Sequence, residues 1–337
     1  MTLASSKALG QLGIATQTAE GSGASNPTYA HPAFSGLPHP VQSVSPFPVV
    51  DADGFRQGLY KADEHWECDT VVPAFPASAG TYIKGMLPTD TKSGSSDPYT
   101  HAFTLTGTIP WETVFAKRPG AQYEKYVDGL MSELSLDFSA ADPFIRVGAK
   151  FVGKTPSKLG SAYTPGTTES LAPGNEYFTT VGATLKLNID ASPATTTITN
   201  VASGTLRVTR EVADVPTVDS LTPVYVYAGF YDIGCSLELV WQDYNAFAAT
   251  YFGSVSGTTP SATIVSGAFD FTFPAQGNSN HSLQVVSKQM TFLLNDPPDI
   301  DPGGGAVTLT IEGIATRPAT ATDIFTVTLK NAVGTAY

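Results

Sequence analysis

Two neighbouring stretches alternate so regularly that each reads as a strand, and together they restrict what the chain can fold into. In LMSELSLDF, Leu130, Leu134, Leu136 and Phe138 fall on one face, while Met131, Glu133, Ser135 and Asp137 fall on the other. In the stretch that follows, Ile145, Val147, Ala149 and Phe151 alternate with Arg146, Gly148 and Lys150. Folding one back on the other across a short loop at 140–143 sets Phe138 opposite Ile145, Leu136 opposite Val147 and Leu134 opposite Ala149. The same register sets Asp137 opposite Arg146 and Glu133 opposite Lys150. A slip of one residue would scramble the apolar face and the charge pairs together, so two independent patterns predict one antiparallel hairpin.

The returning strand contains GAKFVGKT, residues 148–155, which matches the phosphate-loop pattern G-x-x-x-x-G-K-[ST]. That chemistry needs a helix to open immediately after Thr155, so that backbone amides and the helix N-terminus face the phosphates. Pro156, Gly160, Pro165 and Gly166 rule out such a helix, and the positions that should form the loop belong to the strand alternation instead. The expectation is a hairpin whose strand leaves the sheet at Gly153 and Lys154.

Charged residues make up 14% of the 337-residue chain, and Gly, Pro, Ser and Thr are abundant. Such a surface, sparsely charged where soluble proteins carry about 25%, suits extensive protein contact. The net charge of −12 argues against tight binding to phosphate backbones, which requires clustered Lys and Arg. The N-terminal stretch lacks the apolar core of a secretory signal, and nothing later approaches a membrane span, so no membrane insertion is expected. Cys68 and Cys235 have no zinc spacing and are expected to be reduced and packed, although the sequence does not test whether they pair.

Along the chain, residues 1–50 read as an extended arm with little regular structure, rich in Gly, Pro, Ala and Ser. The remainder, 51–337, reads as one β-rich domain with long loops at 155–178, 254–266 and 295–305. Strands are predicted at 101–109, in the hairpin, at 184–190 and at 205–212. Further strands follow in PVYVYAGF, CSLELVWQ, AFDFTF, SLQVVSKQMTFLL, AVTLTIEGI and DIFTVTLKN. One helix is predicted after Asp243, which would cap it, with Tyr244, Phe247, Ala248 and Tyr251 at helical spacing and Gly253 as the stop. The fold class is all-β, mainly antiparallel: a β-sandwich or barrel with one short flanking helix.

Reactive constellations are sparse. His31, His39, His65, His101 and His281 do not pair at metal-ligand spacing, and no nucleophile elbow is present. Asp51 and Asp53 with Gly54 resemble only the start of a calcium loop and read as a turn. Asp296, Asp299 and Asp301 read as a solvated acidic loop, with a hard-cation site as the alternative. Trp66, Trp111 and Trp241 are compatible with a sugar-binding face or with burial. No cofactor, metal or catalytic group is predicted.

The order of several segments carries a resemblance. DPYTHAFTLTGTIPWETV supplies Tyr99, His101 and Phe103, then Ile109, Pro110 and Thr113. Tyr126, Gly129, Leu134 and Leu136 follow on the first strand of the hairpin, and Phe151 to Lys154 close the second. The ending, through Leu329 and Asn331, and the opening LGIATQTAEGSGA agree with the same pattern. In this order they resemble the tail tube proteins of long-tailed bacteriophages, most specifically over residues 97–154. The resemblance implies a non-enzymatic virion protein, assembled in the host cytoplasm, in which six copies close a ring and rings stack into a hollow tube for DNA. Its implied partners are further copies of itself and the tape-measure, tail terminator and baseplate or distal tail proteins, with DNA in transient passage. The alternatives are another virion β-protein, such as a baseplate, decoration or capsid component, and a carbohydrate-active β-sandwich. Glu133, Asp137, Arg146 and Lys150 are the candidate residues for a subunit contact or for the lumen.

Overall fold

A computed structural model describes residues 10–46, 53, 58–217, 220–241, 245–261, 266–294, 307–316 and 325–337. The long hairpin is its central feature: β8 (Gln122–Ser139) and β9 (Asp142–Leu159) pair antiparallel. Leu134 meets Ala149, Leu136 meets Val147, Asp137 meets Arg146 and Glu133 meets Lys150, as the alternation predicts. The register shifts after Asp137, so that Ser139 meets Asp142, and the paired register does not extend to Phe138 and Ile145, although both are buried. It shifts again at Ser132, where Met131 opposes Phe151 with one extra residue on β8. The strand also outruns its predicted exit, since β9 continues through Lys154 and Thr155 to Leu159.

Three strands precede this hairpin in the opening segment: β1 (Gln11–Thr16), β2 (Tyr29–Pro32) and β3 (His39–Pro46). The segment is extended, as its composition suggests, but it is far more regular than expected. Its apolar residues explain why: Leu12, Ile14 and Ala30 are buried once β1 lies between β2 and β7 (Glu112–Arg118). β4 (Leu59–Pro73) pairs with β3 and then with β9. Between β4 and β8 the chain forms α1 (Ala79–Met86), β5 (Thr89–Ser93), β6 (Tyr99–Thr104) and β7.

Beyond β9, short strands β10 (Thr167–Thr168) and β11 (Tyr177–Phe178) interrupt the long loop, followed by β12 (Thr184–Asn188) and β13 (Thr197–Ile198). Two long hairpins come next: β14 (Val201–Thr217) with β15 (Ser220–Val240), and β16 (Ser266–Gln276) with β17 (Asn278–Leu294). β18 (Thr308–Ala315) and β19 (Phe325–Asn331) complete the order. Among the described residues all registered pairings are antiparallel except β10 with β2.

Strand β8 changes partner along one edge, with β7 on its first half and β14 on its second. β17 does the same with β19 and β18. These two strands therefore anchor two sheets, joined through β14, β15 and β18. Their inner faces pack as a sandwich: the Phe138 ring lies 5.9 Å from that of Phe271 and 5.1 Å from that of Phe273. The core is continuous from Trp66 and Tyr82 to Phe325 and Leu329.

Helix α1 lies almost wholly within this core, which the sequence did not announce: Gly80 and Gly85 lower its intrinsic propensity. Burial explains both glycines, because the Tyr337 ring lies on Gly80 and the Met131 side chain on Gly85. Buried Arg210 donates from Nε to the Met131 carbonyl at 2.7 Å and from Nη2 to the Gly85 carbonyl at 3.3 Å, tying the helix end to the sheet. The predicted second helix is present as α2 (Asn245–Tyr251), with Phe247 and Ala248 buried and Tyr251 half exposed. Its proposed cap Asp243, and Tyr244, lie outside the described residues.

Candidate functional site: a charged sheet face

On the outer face of the joined sheet, the registers place polar residues in four cross-strand rows. The first runs Asp142, Ser139, Ser203, Glu238, Thr310, and the second Arg146, Asp137, Thr205, Ser236, Glu312. The third is Gly148, Ser135, Arg207, Gly234, Ile314, and the fourth Asp69, Lys150, Glu133, Thr209, Asp232. Inward neighbours of these positions, among them Leu136, Leu206, Leu237 and Ile311, fill the core, so strand alternation itself directs the polar set outward.

Glu133 is the hub. Its Oε2 lies 3.1 Å from Lys150 Nζ and accepts from Arg207 Nη2 at 2.6 Å. Lys150 reaches on to Asp69 at 3.7 Å, giving an alternating Asp–Lys–Glu–Arg row across β4, β9, β8 and β14. The second predicted charge pair is not made. Asp137 and Arg146 oppose each other in register, but Arg146 pairs with Asp142 on its own strand and lies over Phe34, 5.3 Å from the ring centroid. Asp137 instead accepts from Thr205 Oγ1 at 2.7 Å and Ser135 Oγ at 3.1 Å. The arrival of β14 beside β8 supplies the Thr205 hydroxyl; the hairpin read in isolation contains only that of Ser135.

Across the four rows stand seven carboxylates, Asp69, Glu133, Asp137, Asp142, Asp232, Glu238 and Glu312, against three cations, Arg146, Lys150 and Arg207. A cleft of about 500 Å³ opens over the first two rows, between Phe138 and Phe144 on one side and Glu238 and Thr310 on the other. The other outward residues are Gly, Ser and Thr, with Ile314 as an exposed apolar exception at the edge of the third row. Chemically the face is polar and net-negative, held by its own ion pairs.

The remaining sequence candidates resolve into structure. Lys154 of the phosphate-loop match pairs with Glu20, and its ammonium lies 5.6 Å from the Trp111 ring centroid. His101 is fully buried, with Nδ1 3.1 Å from Asp90 and Nε2 2.9 Å from the Val333 carbonyl. Trp66 is buried and donates to the Val127 carbonyl at 2.8 Å. Cys68 and Cys235 are free thiols, both buried, and burial pushes the Cys235 thiol up to about 12. Asp296, Asp299, Asp301 and Asp51 lie outside the described residues; Asp53 is described and sits exposed in a turn. Among the described residues no group of three or more His, Cys, Asp or Glu is arranged to hold a metal ion, and no helix is long and apolar enough to cross a membrane.

One buried acid, Glu112, and one half-buried acid, Glu169, escaped sequence reading. Burial pushes Glu112 up to about 8, against the opposing hydrogen bond from Thr16 Oγ1, and Glu169 up to about 7, against hydrogen bonds from Ser78. Only partners distant in sequence bury them, so no local pattern marks them.

A continuous sandwich whose largest organised feature is one polar sheet face defines a class: a structural β-protein that works through its surface. Family comparison carries this further. The model of the phage tail tube protein family matches residues 7–321, nearly the whole chain, and the protein belongs to that family. It is a structural component of the bacteriophage tail. No curated protein matches it significantly.

Proposed function

We propose that copies of this chain close into rings, six to a ring, which stack into a hollow tube, and that the charged face of β9, β8, β14, β15 and β18 lines the channel through which DNA passes. The observation that carries this reading is the excess of carboxylates over cations across the four rows. A conduit must hold DNA weakly, and a net-negative wall repels phosphates. The protein acts without catalysis, in the virion tail, after assembly in the host cytoplasm beside tape-measure, terminator and baseplate proteins.

The contacts between copies are supplied by two ribbons. The β3–β4 and β14–β15 hairpins extend past their neighbouring strands, with Val44, Leu59 and Phe230 exposed. Exposed strand edges and apolar side chains are hazards in a monomer and are satisfied when a neighbouring copy covers them. The test is Asp137→Lys, followed by electron microscopy and thermal unfolding. Tube formation or DNA passage is expected to fail while the melting temperature of the monomer stays within a few degrees. Equal loss of folding and assembly would remove Asp137 from any role in the lumen or at a subunit contact.

A further inference from the structure

His281 is 3% exposed, at the start of the paired part of β17, and it touches two carboxylates from distant parts of the chain. Its Nδ1 lies 2.6 Å from Glu176 Oε2, in the segment leading into β11, and its Nε2 lies 2.8 Å from Asp97 Oδ1, in the connection from β5 to β6. Asn278 Nδ2, in its own hairpin turn, donates to Glu176 Oε1 at 3.4 Å and lies at longer range from both ring nitrogens, 3.4 Å from Nδ1 and 3.3 Å from Nε2, where the two carboxylates make the shorter contacts. Three separate loops are thus gathered on one imidazole.

Hydrogen-bond capacity decides what that ring must be. A carboxylate only accepts, so two carboxylates on opposite nitrogens require two N–H donors, and only the imidazolium has both. A neutral ring satisfies one carboxylate and turns a lone pair toward the other at contact distance. From these contacts we infer that His281 is a proton-dependent clasp, which holds the β5–β6 connection and the segment before β11 against the β16–β17 turn while doubly protonated and lets them part when it loses a proton.

The surrounding charges agree. Glu169 lines the same small cavity, of about 200 Å³, beside Glu176 and His281. From β19, Asn331 is buried and committed to the Pro76 carbonyl and the Tyr337 hydroxyl, while Lys330 is exposed. Phe75, Pro76 and Ala77 bring no charge to the cavity. Among the described residues no cation competes with the imidazolium in these contacts. Burial works against the charged ring, but the hydrogen bonds it donates to Asp97 and Glu176, and the charges of those carboxylates, outweigh it and raise its pKa above 6.5. The clasp is therefore complete below pH 6.5 and is lost as pH rises through the folded-state value.

The test uses the full chain with ¹³C-labelled histidine, titrated by NMR, alongside hydrogen exchange at 94–99 and 172–178 corrected for intrinsic rate. A His281 midpoint above 6.5 is expected, with exchange protection in both segments falling about tenfold at that same midpoint, the weight of one charge-assisted hydrogen bond. His281→Gln should show low protection at every pH. Glu176→Gln and Asp97→Asn, at partly exposed positions that leave the core intact, should each lower the midpoint. A midpoint at or below 6.5, protection flat with pH, or a midpoint unmoved by Glu176→Gln would overturn the inference.

Discussion

Gly153 is the second glycine of the phosphate-loop match, and the structure gives it a different task. Trp66 of β4 lies over the β8–β9 ladder where Gly153 faces Gly129. A Cβ at Gly153 would stand 2.5 Å from Trp66 Cζ2, and one at Gly129 2.6 Å from Cη2. The indole is fully buried, and at about 25 cal/mol per Å² over roughly 200 Å² it contributes on the order of 5 kcal/mol of transfer free energy. We expect Gly153→Ala to cost about 1–3 kcal/mol by overpacking, since the neighbour is a rigid ring with strands on both sides. The same substitution made on Trp66→Leu should be neutral, or stabilising by up to about 1 kcal/mol, because the space is then free and alanine loses less backbone entropy than glycine. Urea unfolding followed by far-ultraviolet circular dichroism measures all four corners of the cycle without relying on the deleted fluorophore. Were the cost of Gly153→Ala the same in both backgrounds to within about 0.5 kcal/mol, the seat reading would be wrong and the glycine would need another explanation.

Two further outcomes follow from burial and exposure. Glu112 and Glu169 hold protons in the folded state up to about pH 8 and 7, against 4.5 for an ordinary glutamate, so the folded form binds more protons and stability falls as pH rises through that window. His31, which burial pushes down to about 4, gains stability only up to pH 6.5, so the net decline should stand clear between pH 6.5 and 8. Glu112→Gln should reduce its slope by about 1.4 kcal/mol per pH unit, and an unchanged slope in thermal unfolding across that range would refute the assignment. Phe230 is 96% exposed, so Phe230→Ser should leave the melting temperature unchanged while abolishing or shortening tubes seen by electron microscopy. Intact tubes would show that the β14–β15 ribbon is not a contact.

The hairpin was legible because its information is local and redundant: Glu133 and Lys150, like Leu136 and Val147, are set by alternation on strands only a few residues apart. The sandwich class and most later strands were legible for the same reason. What sequence missed depended on arrivals from far away. Arg146 was assigned to Asp137, yet Thr205 brings a hydroxyl to Asp137 from a strand more distant in the chain, and the turn leaves Asp142 nearer to the guanidinium. α1 was hidden because its helical state is imposed by burial against Tyr337, Met131 and Arg210 and not by propensity. The opening strands were hidden because β1 finds its ladder on β7 and β2, and nothing within residues 11–16 announces either. Of the candidate face, the hairpin half could be read; β14, β15 and β18 were read as strands, but their place beside β8 was not.

Strand β19 sits between β6 and β17, bonded to both. During synthesis, β5 and β6 leave the ribosome long before β19 exists, so their hairpin must wait beside an unfilled slot, with the ladder edges of β6 and β17 open. Closure of the second sheet is therefore a late, non-local step, of the kind that makes β-rich chains slow to fold. The nascent chain remains incomplete until FTVTLKN takes its place, which ties completion of the fold to the arrival of one seven-residue strand.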